Sequence, residues 1–212
     1  MPKFDAVIFD NDGTLVDSEA ITLSVLLEMA LAHGADVGDR DVEEFMGAHL
    51  QVAFEEIAKR AGKPVPDDFI DVFRTKQTAM INEGLVEMPG ATELLKHLAA
   101  IDLPMAVASN APIAKMTLCL NATNLSRFFS PDRLVSAYDV GVWKPAPDIF
   151  LHAAKVLGVA PERCAVVEDS PTGLAAAHAS GATVFALDPT GELQDDRNAT
   201  VLTNLTELIG HL

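Results

Sequence analysis

The sequence predicts an α/β fold, a parallel sheet with helices on both faces, interrupted early by a helical insertion. Three observations predict it. Short apolar runs bounded by turn residues alternate with helical stripes through the second half of the chain. Between Val16 and Gly84 strand signals are nearly absent and helical spacing dominates. Polar residues recur directly after the apolar runs, at the strand ends where open α/β sheets collect functional groups.

The first run, Ala6-Val7-Ile8-Phe9, is short and bounded by turn formers, so it reads as a buried strand. Leu23, Leu26, Leu27, Ala30 and Leu31 then recur at helical spacing, and His33-Gly34 closes that helix. Val52, Phe54, Ile57, Ala58 and Ala61 make a second helix, ended by Gly62 and Pro64. A third begins near Pro66-Asp67, with Asp67 as a cap, and runs toward Gly84. Strands return at Met105-Ala106-Val107-Ala108 and at 133–136, 165–167 and 183–187. Between them Ile149, Phe150, Ala153, Val156 and Leu157 form a helical stripe that stops at Gly158, with Pro145 and Pro147 suited to its start. The expected division is a core of residues 1–16 and 85–212 and a helical domain of residues 17–84.

Composition narrows the possible partners. The 212 residues are 49% hydrophobic and 22% charged, as in ordinary globular proteins, so a packed core is expected. A formal net charge of −16 disfavours nucleic acid and anionic membrane surfaces as partners, and an anionic ligand would need a local positive site. Cys119 and Cys164 lie far apart in apolar surroundings and read as reduced core thiols. Met1-Pro2-Lys3-Phe4-Asp5 runs straight into the first strand, leaving no room for a signal peptide, and no apolar stretch reaches the roughly 18 residues of a membrane span. The expectation is a cytoplasmic monomer with no nucleic-acid or membrane partner, acting on a small molecule.

The strand ends carry a consistent chemistry. Asp10 and Asp12 project from the end of the first strand, and two neighbouring carboxylates repel unless a cation joins them. A hard divalent ion such as Mg2+, which takes oxygen ligands and often phosphate as a co-ligand, suits that pair. The second strand ends in Ser109-Asn110, Lys144 follows the third, and Glu168-Asp169-Ser170 follows the fourth. In a parallel sheet all of these converge on one edge. Phosphoryl transfer needs such a set: one carboxylate to be phosphorylated, a second to move the proton, and a hydroxyl, a lysine and a metal to hold oxygens.

These segments, Asp10-Asn11-Asp12-Gly13-Thr14, Ser109-Asn110, Lys144-Pro145 and Glu168-Asp169-Ser170 with Gly173 and Gly181, resemble the four ordered motifs of the haloacid dehalogenase-superfamily phosphatases, over essentially the whole chain. The resemblance implies a Rossmann-like core with a helical (subclass I) cap inserted after the first motif. It further implies that Asp10 is the nucleophile forming an aspartyl phosphate. Asp12 would be the acid for the leaving alcohol and then the base for water. Ser109 and Lys144 would hold the phosphoryl group, with Asn110 beside them as a substrate-binding residue. Asp10, the Asp12 carbonyl, Glu168 and Asp169 would form the Mg2+ site.

Asp12 argues against dehalogenation and phosphonate cleavage, because the family members with those activities lack an acid there. The superfamily's sugar-phosphate mutases carry a histidine ten positions after the acid–base aspartate, where this chain has Thr22, so hydrolysis is expected. The alternatives are a mutase of the same superfamily, a phospho-accepting signalling module, and a catalytically silent binding protein. Specificity should come from the cap. Its candidates are Gly47 and His49 in the loop Phe45-Met46-Gly47-Ala48-His49, and the basic pair Arg74 and Lys76. Ser109-Asn110-Ala111-Pro112 with Lys115-Met116, and Pro131-Asp132-Arg133-Leu134 through Trp143-Lys144-Pro145 to His152-Ala153-Ala154-Lys155, are similar to the family's bacterial phosphatases of sugar-acid phosphates. That similarity implies a phosphorylated sugar or sugar acid, 6-phosphogluconate among the candidates, with Arg74 pairing a carboxylate.

Overall fold

The computed structural model describes residues 3–38, 50–191 and 198–212. The chain divides into two compact units, Met1–Asp17 with Val86–Leu212, and Ser18–Leu85.

The first unit is built on six strands, β1 (Ala6–Phe9), β2 (Met105–Ser109), β3 (Leu134–Ser136), β4 (Cys164–Glu168), β5 (Thr183–Leu187) and β6 (Thr200–Leu202). They form one sheet in the order β3-β2-β1-β4-β5-β6, every pair parallel. β1 is buried at all four residues and lies near the middle of the sheet, which is why it reads as an unbroken apolar run rather than an alternating one. Ile8 pairs with Ala106 and Val166, and Val166 with Val184. These residues share one core with Ile149 and Phe150 of a helix at Asp148–Leu157 and with Leu174 of another at Pro171–Ser180. Phe185 alternates to the other face, where its ring meets Phe4 edge-on and His211 of the C-terminal 3-10 helix Leu205–His211.

Among the described residues the helices in chain order are α1 (Glu19–His33), α2 (Leu50–Ala61), α3 (Phe69–Gly84), α4 (Ala91–Ala100), α5 (Ile113–Ala122), α6 (Ala137–Val140), α7 (Asp148–Leu157) and α8 (Pro171–Ser180). The four strands expected from the second half of the sequence are present with edges shifted by one residue or none; β6 is an addition, and α4 a further helix. Position 133, expected in β3, instead closes a 3-10 turn over Pro131–Arg133. The first unit is left and re-entered through a short paired ladder: Val16 bridges Glu87 antiparallel, and the Asp17 N–H donates to the Val86 carbonyl at 3.0 Å.

The second unit comprises α1, α2 and α3, which share a core of Val25, Leu26, Met29, Phe54, Ile57, Phe69 and Phe73. Phe54 meets Phe69 and Phe73 edge-on, with ring centroids 5.1 and 5.9 Å away. α1 ends as its sequence predicts, with Gly34 at φ 87° donating back to Ala30 and Leu31. The expected cap at Asp67 is not where α3 starts: Asp68 occupies the N-cap position, and its side chain makes no capping hydrogen bond. No helix among the described residues is long and apolar enough to cross a membrane.

Candidate active site

The register of the sheet decides which residues meet. Phe9 is level with both Val107 and Val167, so Asp10 emerges beside the ends of β2 and β4, and its N–H donates to the Val167 carbonyl at 3.0 Å. The chain then turns tightly. Leu15 and Val16 both donate to the Asn11 carbonyl at 3.0 Å, and Gly13 sits at φ +82°. Glycine is required at that turn for a second reason: a Cβ there would lie 2.1 Å from Asp169 Oδ2. Thr14 Oγ1 donates to Asp169 Oδ1 at 2.6 Å, so the opening segment and the end of β4 are docked on one another.

Lys144 lies at the centre. Its Nζ donates to Asp10 Oδ1 and, at 2.6 Å, to Glu168 Oε1, over the face of the Phe150 ring 4.9 Å away. The Lys144, Asp10 and Glu168 side chains are only 3%, 9% and 1% exposed. Asn110 Oδ1 accepts from the Lys144 N–H at 3.0 Å, which fixes the loop carrying the lysine. Ser109 closes β2, and its hydroxyl accepts from the Ala111 N–H at 3.1 Å. Asp12 pairs with Lys115, Nζ to Oδ1 at 2.9 Å.

Glu168 engages both of its oxygens within the protein. One oxygen receives Lys144, and the other accepts from the Asp169 and Ser170 N–H groups, both at 2.9 Å, and from the Ser170 hydroxyl at 3.0 Å. Glu168 thereby anchors Lys144 to the start of α8. Gly173 is part of the same fitting, since a Cβ there would lie 1.8 Å from Glu168 Oε1. Ser170 caps α8 by accepting from the Gly173 N–H, with Pro171 next at the first helical position.

These contacts set the electrostatics. Burial pushes the Asp10 carboxyl up to about 7; the Lys144 ammonium opposes that rise, and the Glu168 and Asp12 carboxylates add to it. Burial works against the Lys144 charge, yet Asp10 and Glu168 together hold its pKa above the ordinary lysine value. Burial likewise opposes charge on Lys115, and Asp12 outweighs it, raising that pKa too. Cys119 is an inert core thiol, pushed up to about 12 by burial with the Asp12 charge adding.

Of the residues singled out from the sequence, Asp10, Asp12, Ser109, Asn110, Lys144, Glu168 and Asp169 gather at the carboxyl edge of the sheet. Asn110 accepts there from the Lys144 backbone through its side-chain oxygen. Arg74 and Lys76 belong to α3. Arg74 is exposed, and Lys76 pairs with Glu28 at 2.8 Å within the same helical unit. Gly47 and His49 lie outside the described residues. Lys115 and Thr14 were not among the expected site residues. Lys115 carries a legible signal, a cation in the first turn of α5 where the helix itself does not favour one.

Four carboxylates (Asp10, Asp12, Glu168, Asp169) face two ammonium groups (Lys115, Lys144), leaving an excess of two negative charges where an anionic group would have to bind. Among the described residues no group of three or more His, Cys, Asp or Glu side chains converges closely enough to hold a metal alone. One or two carboxylates completed by water, a main-chain carbonyl and a ligand oxygen is the way Mg2+ is usually held, and Asp10 with Asp169 fits that description.

Residues 4–181 match the haloacid dehalogenase-like hydrolase family. The chain is 33% identical over 212 residues to the 6-phosphogluconate phosphatase of Escherichia coli (strain K12), covering 98% of this chain and 94% of that protein. It is 32% identical to hexitol phosphatase A of the same organism, covering 85% and 82%. A crystal structure of a family hydrolase from Deinococcus radiodurans R1, with bound phosphate and sodium, superposes with a TM-score of 0.79 at 34% identity, covering 98% of this chain and 94% of that one. The chain belongs to the haloacid dehalogenase-like hydrolases, and among them it is a phosphatase of small phosphorylated metabolites.

Proposed function

We propose that the protein is a Mg2+-dependent phosphomonoesterase that works through an aspartyl phosphate on Asp10, with phosphorylated sugars or sugar acids as its substrates and 6-phosphogluconate the leading candidate. The observation that carries this reading is the buried Asp10–Lys144–Glu168 cluster at the sheet edge, with Asp169 docked against Gly13 and Thr14 beside it. The 33% identity to a 6-phosphogluconate phosphatase along nearly the whole chain supports the choice of substrate class.

Each side chain then has a task. An Asp10 carboxylate oxygen attacks phosphorus, and the bond from phosphorus to the ester oxygen breaks as Asp12 delivers a proton to the departing alkoxide. Asp12, now a base, takes a proton from water, which attacks the phosphoryl group; phosphate leaves and Asp10 is restored. Lys144 holds Asp10 in place and balances charge on the phosphoryl oxygens, and Ser109 offers its hydroxyl to them. Mg2+, which Asp10, Asp169 and the Asp12 main-chain carbonyl would hold, supplies the charge that lets a phosphate dianion enter a site with excess carboxylate. The rest of the chain's contribution is positional: Glu168 fixes Lys144, and α8 fixes Glu168.

One observation bears on hydrolysis against phosphoryl transfer between sugar hydroxyls. Thr22, at the position of the mutases' histidine, spends its hydroxyl within the helical unit, donating to the Ser18 carbonyl at 3.0 Å and accepting from Gln77 at 2.9 Å. That supports water as the acceptor. The test is a Mg2+-dependent phosphate-release screen over sugar phosphates, sugar-acid phosphates, nucleotides and phosphonates, with Asp10→Asn as the blank. Release from sugar or sugar-acid phosphates with a silent blank is the expected result. A preference for nucleotides or phosphonates, or conversion of a sugar 1-phosphate to its 6-phosphate without release, overturns it.

A further inference from the structure

We propose that Lys115 is a positioning residue for the acid–base carboxylate of Asp12; this role rests on the phosphatase reading above. Lys115 Nζ lies 2.9 Å from Asp12 Oδ1, with the two side chains 21% and 23% exposed. The pair therefore sits at the edge of the buried cluster, partly wet and partly enclosed.

The helix does not account for this lysine. Lys115 stands in the first turn of α5, which carries no acidic residue, and the N-terminal end of a helix disfavours a cation. What accounts for it is the partner across the sheet edge. α5 follows β2 directly after the Ser109–Ala111 turn, so its first turn begins beside the loop that carries Asp12. Backbone hydrogen bonds already shape that loop, with Leu15 and Val16 donating to the Asn11 carbonyl and Asp12 bridging Val16. They hold the main chain at position 12 but leave the carboxylate's rotamer unspecified. The Lys115 ammonium, 2.9 Å from Oδ1, helps to fix it from an element with its own place in the fold. A proton donor must sit within hydrogen-bond reach of the leaving oxygen, and small misplacements cost large rate factors.

Acid assistance matters for an alkyl phosphate, whose alkoxide leaves poorly, and much less for p-nitrophenyl phosphate, whose phenolate leaves readily. kcat/KM covers the steps through ester cleavage, so its alkyl-to-aryl ratio reads the positioning of Asp12 and is independent of the fraction of enzyme folded. The alkyl ester is the one that the wild type turns over fastest in the screen. In Lys115→Met the ratio should fall by about tenfold, a part of the roughly hundredfold or more that general acid catalysis contributes. Lys115→Arg, which keeps a cation, should recover most of it. In an Asp12→Asn background, Lys115→Met should leave the ratio where Asp12→Asn alone puts it, because the lysine acts through that carboxylate. An unchanged ratio in Lys115→Met, an equal fall in Lys115→Arg, or a further fall in the Asp12→Asn background contradicts the role while leaving the phosphatase reading intact. A wild type that releases phosphate from neither ester removes both.

Discussion

The sheet edge and the helical unit handle charge in opposite ways. At the edge, Lys144 is 3% exposed and draws its two carboxylates from β1 and β4, elements far apart in sequence. In the helical unit, Lys59 and Arg60 both lean on Glu56 within α2, at 3.1 and 3.2 Å, and Lys76 meets Glu28 with the two side chains 41% and 61% exposed. Exposed pairs of the second kind are worth about 0–1 kcal/mol and can be exchanged without consequence for the fold. A buried cluster of the first kind must satisfy every member, because an orphaned charge costs several kcal/mol. The contrast supports the proposal that the sheet edge is the place of reaction.

Removing the centre of the cluster is the strongest way to break this comparison. Lys144→Met should abolish turnover and lower stability at neutral pH by roughly 3–5 kcal/mol, read by urea denaturation. The sign of its pH dependence follows from Asp10, already raised to about 7 and then deprived of its opposing cation. A carboxyl whose pKa is higher folded than unfolded favours the folded state at low pH and loses that advantage as pH rises. The variant should therefore approach the wild type in acid and fall furthest behind in alkali. Lys76→Met, the matched change in the helical unit, should move stability by about 1 kcal/mol or less.

Metal affinity gives the next largest effect. Mg2+ needs the ionised form of Asp10, so calorimetric titration should show affinity falling about tenfold per pH unit below about 7 and levelling off above it. An affinity flat across that range would contradict the coupling of Mg2+ binding to ionisation of Asp10 near pH 7. The smallest effect is expected at Arg74, exposed on α3. Arg74→Ala should raise KM for an acidic sugar phosphate by about three- to tenfold, the scale of one partly solvated charge contact, and leave p-nitrophenyl phosphate nearly as it was. Equal effects on both esters remove Arg74 from substrate recognition.

How much of this was legible in the sequence depended on whether the signal was local. The apolar run before Asp10 and the Ser170-Pro171 start of α8 are local, and each marks its element. β6 is three residues long with Thr200 and Val201 exposed and only Leu202 buried, so it offers neither alternation nor an apolar run to detect. Sequence records the acidic pair Glu168-Asp169 but not which member turns toward Lys144. The separation of tasks, with Asp169 docked on Gly13 and Thr14 and Glu168 on Lys144, arises only when β1 and β4 pair. The hydrogen bond from the Lys144 N–H to Asn110 Oδ1 likewise joins two segments that sequence spacing does not connect. Lys115 was overlooked because its partner is distant, although its place at a helix start was itself a clue.

The central claim is that the phosphoryl group passes through Asp10. Acid quench during turnover of the best alkyl phosphate, followed by mass spectrometry of the peptide bearing Asp10, tests it directly. A phosphoryl group on Asp10 in the wild type, with neither adduct nor phosphate release in Asp10→Asn, is the predicted result. Phosphate release that survives in Asp10→Asn, or an adduct on another residue, would contradict it.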